Sequence, residues 1–272
     1  LPFQLALQLI VGLLLSSSIY LTAAAADSDA VTNADATIVI GSKNFGESYL
    51  LSEIAAQVLE RQGFAVERRF GLGGTLICFD ALRNDEIDFY IEYTGTLSQA
   101  VLKMPGRPTR EDINAELRTL DLQMLSEIGF NNTYAVAVRE SQAQELNLST
   151  ISDLAAYPNL PFAFSHEFLQ RGDGWPGLSK LYNLNHKVEG IEHGLAYQAI
   201  ADGAIDATDA YSTDGELLRY NLRVLEDSKS YFPAYRAAPL ARSNLSLDVR
   251  AALAPLKNLI DDAQMQWLNA EV

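Results

Sequence analysis

From Thr37 onward the chain alternates between two kinds of apolar spacing. Thr37-Ile38-Val39-Ile40 is a continuous apolar run closed by Gly41, which predicts a buried strand. Leu50, Leu51, Ile54, Ala55, Val58 and Leu59 then recur at helical spacing, and Gly63 is placed to end that helix. Residues 64–70 predict a second strand, Gly73-Gly74 opens a helix through Leu82, and residues 87–93 predict a third strand. Thr109 and Asp112 form a capping pair for a helix running to about Ser126. Beyond Gly129 the pattern restarts. Strands are predicted at 134–138, 162–164, 187–191, 205–210 and 223–225, with helices near 152–156, 176–182, 194–201 and 214–220. Residues 248–272 read as helical. Two successive sets of alternating strands and helices imply two α/β lobes with mainly parallel sheets. A cleft between two such lobes is a favoured place for a ligand. No internal repeat of fixed period is visible.

Residues 1–26 follow a different rule. Residues 5–15 are an apolar run, followed by Ser16-Ser17-Ser18, Thr22 and Ala23-Ala24-Ala25-Ala26. The run is short for a membrane span, which needs about 20 apolar residues. It reads as part of a secretory signal peptide, and export to the periplasm is expected. Residues 27–36 are small and polar and are expected to form a flexible leader.

Composition narrows the chemistry. Apolar residues make up 48% and charged residues 20% of the 272 residues, as in soluble globular proteins. With 20 Lys and Arg against 35 Asp and Glu, the formal charge of −15 provides no basic footprint for nucleic acid. One cysteine, Cys78, excludes an intrachain disulfide and multi-cysteine zinc, and it is expected to behave as a small buried hydrophobe. The three histidines form no HExxH pair, and no G-x-S-x-G elbow is present. Gly71-Leu72-Gly73-Gly74-Thr75 lacks the lysine and spacing of a phosphate loop and reads as a tight strand-to-helix turn. His166-Glu167 has no nucleophile context, and Asp85-Glu86 with Asp88 reads as a solvated helix end. No catalysis, cofactor or metal is expected.

Tyrosine usage is more telling, with 12 Tyr against 2 Trp. Tyr93 and Tyr211 end predicted strands, Tyr134 begins one, and Tyr235 follows Phe232-Pro233-Ala234, where the chain could return to the first lobe. Strand ends of open α/β sheets are ligand-binding positions. Four tyrosines so placed suggest an aromatic cage, which suits quaternary ammonium groups.

Several motifs together carry a family resemblance. They are Gly41-Ser42-Lys43-Asn44-Phe45 with Glu47, Gly71-Leu72-Gly73-Gly74-Thr75 and Ile87-Asp88-Phe89-Tyr90-Ile91-Glu92-Tyr93-Thr94-Gly95-Thr96. Beyond them come Gly129-Phe130-Asn131-Asn132-Thr133-Tyr134, His166-Glu167-Phe168 with Arg171 and Asp173-Gly174, and Ala210-Tyr211-Ser212-Thr213-Asp214. Between about Ile38 and Leu240 the chain resembles the substrate-binding proteins of glycine betaine/choline-type ABC importers. The resemblance implies the α/β, two-lobed periplasmic-binding-protein type II fold, with two chain crossovers and a ligand cleft between the lobes. Lobe 1 would comprise residues 37–130 and 234–272, and lobe 2 residues 131–233. Tyr93, Tyr134, Tyr211 and Tyr235 would form the cage, and Lys43, Thr96 and Arg171 would hold a carboxylate or polar tail. A monomeric chain would capture a quaternary ammonium compound and hand it to a membrane permease with its ATPase. Two departures from the pattern stand out. Gly46-Glu47-Ser48 replaces the more usual Thr-Glu-Gln, and Asn132 stands where some members carry an acid.

Overall fold

A computed structural model describes residues 37–271. The signal peptide and leader expected over residues 1–36 lie outside the described residues. The strands are β1 Ile38–Lys43, β2 Val66–Gly73, β3 Phe89–Tyr93, β4 Leu122–Met124, β5 Tyr134–Arg139, β6 Phe162–Ser165, β7 Val188–Ile191, β8 Thr208–Tyr211, β9 Leu222–Leu225 and β10 Ala237–Arg242. They fall into two compact units. Among the described residues the first comprises 37–129 together with Ala237–Ile260, and the second Phe130–Arg236 together with Asp261–Glu271.

The first unit has a five-stranded sheet in the order β2-β1-β3-β10-β4. β1 runs parallel to β2 and β3, and β10 is antiparallel to both β3 and β4. Helix Gly46–Arg61 buries Leu50, Leu51, Ile54, Ala55, Val58 and Leu59, the spacing seen in the sequence. Gly63 follows it at φ +87°, a conformation glycine adopts without a Cβ penalty. Helix Thr75–Arg83 buries Cys78, Phe79 and Leu82 in a core shared with Ile87, Tyr90, Ile113 and Leu240. Each such aliphatic side chain contributes about 1.5–3 kcal/mol by leaving water.

The second unit repeats this order. A three-stranded antiparallel sheet β8-β5-β9 and a parallel pair β6-β7 are joined by a parallel bridge between Phe162 and Ala207. Ala163 N–H donates to Ala207 O at 3.1 Å across that seam. The resulting order β7-β6-β8-β5-β9 matches the first unit strand for strand, including the fourth strand, which runs against both of its neighbours.

Five expectations change. The sheets are mixed rather than mainly parallel, because β10 and β5 each run against both neighbours. Thr109 and Asp112 do cap a helix, but it ends at Arg118, and residues 122–124 form β4. Residues 237–242, expected as no element, form β10, which is inserted between β3 and β4. Asp88 is a structural group rather than a solvated end: its carboxylate accepts Val39 N–H at 2.7 Å and pairs with Arg242, which also reaches Asp85 at 2.6 Å. The C-terminal helix Asp262–Ala270 groups with the second unit, as do Tyr235 and Phe130, which were expected in lobe 1. Gly215 has no room for a side chain because Ala270 packs against it, and Asn269 donates to Thr213 O at 2.8 Å.

Candidate ligand site

Tyr134 opens β5 and Tyr211 closes β8, and the antiparallel register sets them directly opposite each other. Opposed residues share a sheet face, so their rings meet, with centroids 5.1 Å apart. Phe168 lies 5.1 Å from Tyr134, Phe232 lies 6.2 Å away, and Tyr235 meets Tyr134 edge-on at 6.0 Å and 85°. Tyr235 is fixed by its backbone. Its N–H donates to Asn131 Oδ1 at 2.6 Å, and its carbonyl accepts from Asn132 N–H at 3.0 Å.

Arg171 ends the short helix His166–Gln170, whose cap Ser165 accepts from Phe168 N–H at 3.2 Å. Ser165 is itself anchored on the buried Asp209, donating its N–H at 2.5 Å and its hydroxyl at 2.6 Å. The guanidinium lies 5.5 Å from the Tyr134 ring centroid. It grips Asp173 with two bonds of 2.8 and 2.6 Å and Glu167 with one of 3.0 Å. Three of its five N–H groups are thereby used. Tyr235 donates its hydroxyl to the same Asp173. The turn depends on Gly174, where an added Cβ would lie 2.0 Å from Phe168 O.

Burial raises the phenols of Tyr134, Tyr211 and Tyr235 above the ordinary range, and neighbouring acids push the same way, so all three rings stay neutral. Burial would also raise Asp173, but the bonds from Arg171 and Tyr235 hold its carboxyl below the usual range. The second unit thus presents neutral tyrosine faces beside one guanidinium.

In the first unit, Lys43 ends β1 and Tyr93 ends β3. The Lys43 ammonium donates to Glu92 at 2.7 Å, with 8% and 0% of the two side chains exposed. It also stands 4.7 Å from the Tyr93 centroid and 5.4 Å from that of Phe45. Tyr93 donates its hydroxyl to Glu47 at 2.5 Å, and Ser48 Oγ accepts Lys43 N–H at 2.9 Å. Ser48, at one of the departures from the family pattern, therefore fixes the backbone of β1. Thr96 is buried in the helical turn that follows Tyr93.

The structure therefore brings Tyr134, Arg171, Tyr211 and Tyr235 together in one unit, and Lys43 and Tyr93 in the other. Sequence reasoning missed the packing of Phe168 and Phe232 against Tyr134, the Arg171–Asp173 clamp and the Lys43–Glu92 pair. Only the chain-local closeness of Arg171 and Asp173 could have signalled any of them.

A family model described as the substrate binding domain of ABC-type glycine betaine transport systems (OpuAC) matches residues 36–272. The chain belongs to that family. A glycine-betaine-binding protein of Pseudomonas aeruginosa is 34% identical, covering 87% of this chain and 82% of that protein. A carnitine transport binding protein, OpuCC, of Listeria monocytogenes is 31% identical over 95% of this chain and 88% of its own length. An ergothioneine transport permease/ergothioneine binding protein of Helicobacter pylori is 33% identical over 86% of this chain, which spans only 44% of that protein. Among solved structures, a glycine betaine/carnitine/choline ABC transporter protein aligns with a TM-score of 0.77 at 28% identity, covering 86% of this chain and 91% of that one. A lactococcal OpuAC at 13% identity and a TM-score of 0.61 shares the fold. The family comprises the extracytoplasmic ligand-capturing parts of ABC importers, which are not enzymes. Among the described residues no helix is long and apolar enough to cross a membrane.

Proposed function

We propose that this chain captures a quaternary ammonium compound carrying a carboxylate, of the glycine betaine type, and delivers it to a membrane permease and its ATPase. The observation that supports this reading best is the cluster of neutral Tyr134, Tyr211 and Tyr235 around Arg171. A trimethylammonium group has full charge and no N–H, so ring faces hold it better than hydrogen-bond acceptors do. Each ring contributes roughly 0.5–2 kcal/mol. Three rings give about 1.5–6 kcal/mol, whereas micromolar binding needs about 8 kcal/mol net. A carboxylate taken by the remaining Arg171 N–H groups adds about 1.5–3 kcal/mol per charge-assisted bond. The arithmetic favours a zwitterion over choline. Glycine betaine, carnitine and ergothioneine, named for the relatives above, all combine trimethylammonium with carboxylate.

Tyr93 and Thr96 are kept as further ligand contacts. Lys43 has its ammonium taken up by Glu92 and is assigned the positioning of Tyr93. The chain is proposed to act as a monomer, exported by the signal at residues 1–26. Calorimetric titration of the protein from Asp27 onward with glycine betaine, carnitine and choline tests the reading. Micromolar binding of a betaine with weaker choline binding is expected, and binding of none of the three sinks it.

A further inference from the structure

His193 opens the helix His193–Ala201, capped by Glu192, whose carboxylate accepts Leu195 N–H at 3.2 Å. Its ring centroid is 4.8 Å from that of Tyr211, and Tyr197 stands edge-on at 5.3 Å. Nε2 lies 3.3 Å from Asp214 Oδ2, and Nδ1 lies 3.6 Å from Asp209 Oδ2 at ion-pair distance. Carboxylates facing both ring nitrogens suit the doubly protonated ring. Burial alone would depress its pKa, but Asp209 and Asp214 outweigh burial and lift it to about 10.

Neither acid depends on this imidazolium for its hydrogen bonds. Asp209 accepts the N–H and hydroxyl of Ser165, and Asp214 accepts Tyr211 N–H at 2.8 Å and the Tyr197 hydroxyl. The two carboxylates and the imidazolium therefore leave one net negative charge behind a site tyrosine, where the acids alone would leave two.

We propose that His193 is a specificity-determining residue: its imidazolium, held against Tyr211 between Asp209 and Asp214, offsets part of the attraction of the two carboxylates for simple quaternary cations and so favours quaternary ammonium compounds that also carry a carboxylate. The proposal rests on the tyrosine-cage reading above. A ligand of net charge +1 is drawn less strongly by one net negative charge than by two. In a zwitterion the opposite response of the carboxylate offsets most of that difference. Screening is weak in a partly buried setting, so the discrimination persists at physiological salt.

The test is calorimetric titration of wild type and His193→Gln with choline and with glycine betaine. Choline affinity is expected to tighten on the order of tenfold in the variant, with glycine betaine changing less than about threefold. Unchanged relative affinities, with both ligands still binding, would overturn the proposal, because a packing role alone moves the melting temperature and not the ratio. If wild type binds neither ligand, the cage reading fails first and this proposal with it. Should the variant not fold, wild type titrated with choline between pH 8 and 10.5 decides. Asp209, Asp214, Tyr197 and Tyr211 face His193, Glu192 precedes it, and Glu167 and Glu216 act on the two tyrosines. Burial raises both tyrosines well above the ordinary range, so the imidazolium is the group of this cluster that loses its charge in that interval. Choline binding that fails to tighten relative to glycine betaine overturns the proposal.

Discussion

Tyr134 and Tyr211 stand directly opposite each other across the β5–β8 ladder, with ring centroids 5.1 Å apart. The pairing is set by backbone register, so neither ring can leave the shared face without disturbing the ladder. Tyr134→Ala is expected to weaken glycine betaine binding roughly threefold to thirtyfold, the worth of one ring contact. It should also cost about 3–5 kcal/mol of stability by opening a cavity. Tyr134→Phe keeps the ring face and should stay within about threefold of wild type. Calorimetry and urea unfolding separate the two effects. If the Ala variant keeps wild-type affinity, Tyr134 is not a cage wall.

Arg171 gives a different signature, because it recognises the other end of the ligand. Arg171→Met is expected to weaken glycine betaine binding on the order of tenfold to a hundredfold. Choline should lose less than about threefold, since it has no carboxylate to hold. Equal losses for both ligands would remove the carboxylate from this residue.

The Lys43–Glu92 pair is buried, so its removal should be felt in stability first. Lys43→Met leaves a carboxylate uncompensated and is expected to cost about 3–5 kcal/mol. Lys43→Met combined with Glu92→Leu should recover most of that loss, because a buried pair can be replaced by packed apolar groups. Urea midpoints of the single and double variants give the answer. A double variant no better than the single would mean that Glu92 has other work, such as holding the Tyr90 hydroxyl at 3.2 Å.

Asp173 and His193 make stability depend on pH in opposite directions. The Asp173 carboxyl is held below its unfolded value, so its contribution is present above about pH 4 and is lost as pH falls further. The His193 pKa is raised to about 10, so its contribution is complete below about pH 6.5 and is lost as pH rises towards 10. Thermal unfolding from pH 3 to 10.5 should show both flanks. Asp173→Asn should flatten the acid flank, and His193→Gln the alkaline one. A variant that retains its flank contradicts the assignment.

The strand-end positions of Tyr93 and Tyr211 are legible because strand ends are marked locally, by Thr94-Gly95-Thr96 after Tyr93 and Ser212-Thr213-Asp214 after Tyr211. What stayed hidden depends on distant neighbours. Residues 237–242 read Ala-Ala-Pro-Leu-Ala-Arg, with no β-branched residue and a proline that cannot donate to a ladder. They are a strand because β3 and β4 offer pairing on both sides and the segment is buried there. β4 was lost inside an extended helical reading, since three residues are too few to set a period. His193 belongs to no motif of fixed spacing. Its acids come from β8 and the loop beyond it, which no spacing rule connects to a helix start.

The matched strand orders bear on how the chain is made. β5 is the first strand after the chain leaves the first unit, and β10 is the first after it returns, and each is inserted beside the centre of its sheet. The strands of the second unit are contiguous from 134 to 225, so its ladder can close as soon as that stretch has emerged. The first unit has β3 and β4 early, but no partner between them until residues 237–242 arrive. During vectorial synthesis its β3 edge stays open while the whole second unit is added. An open edge invites pairing with other chains, so the first unit is the part that most needs protection before the last strand is delivered.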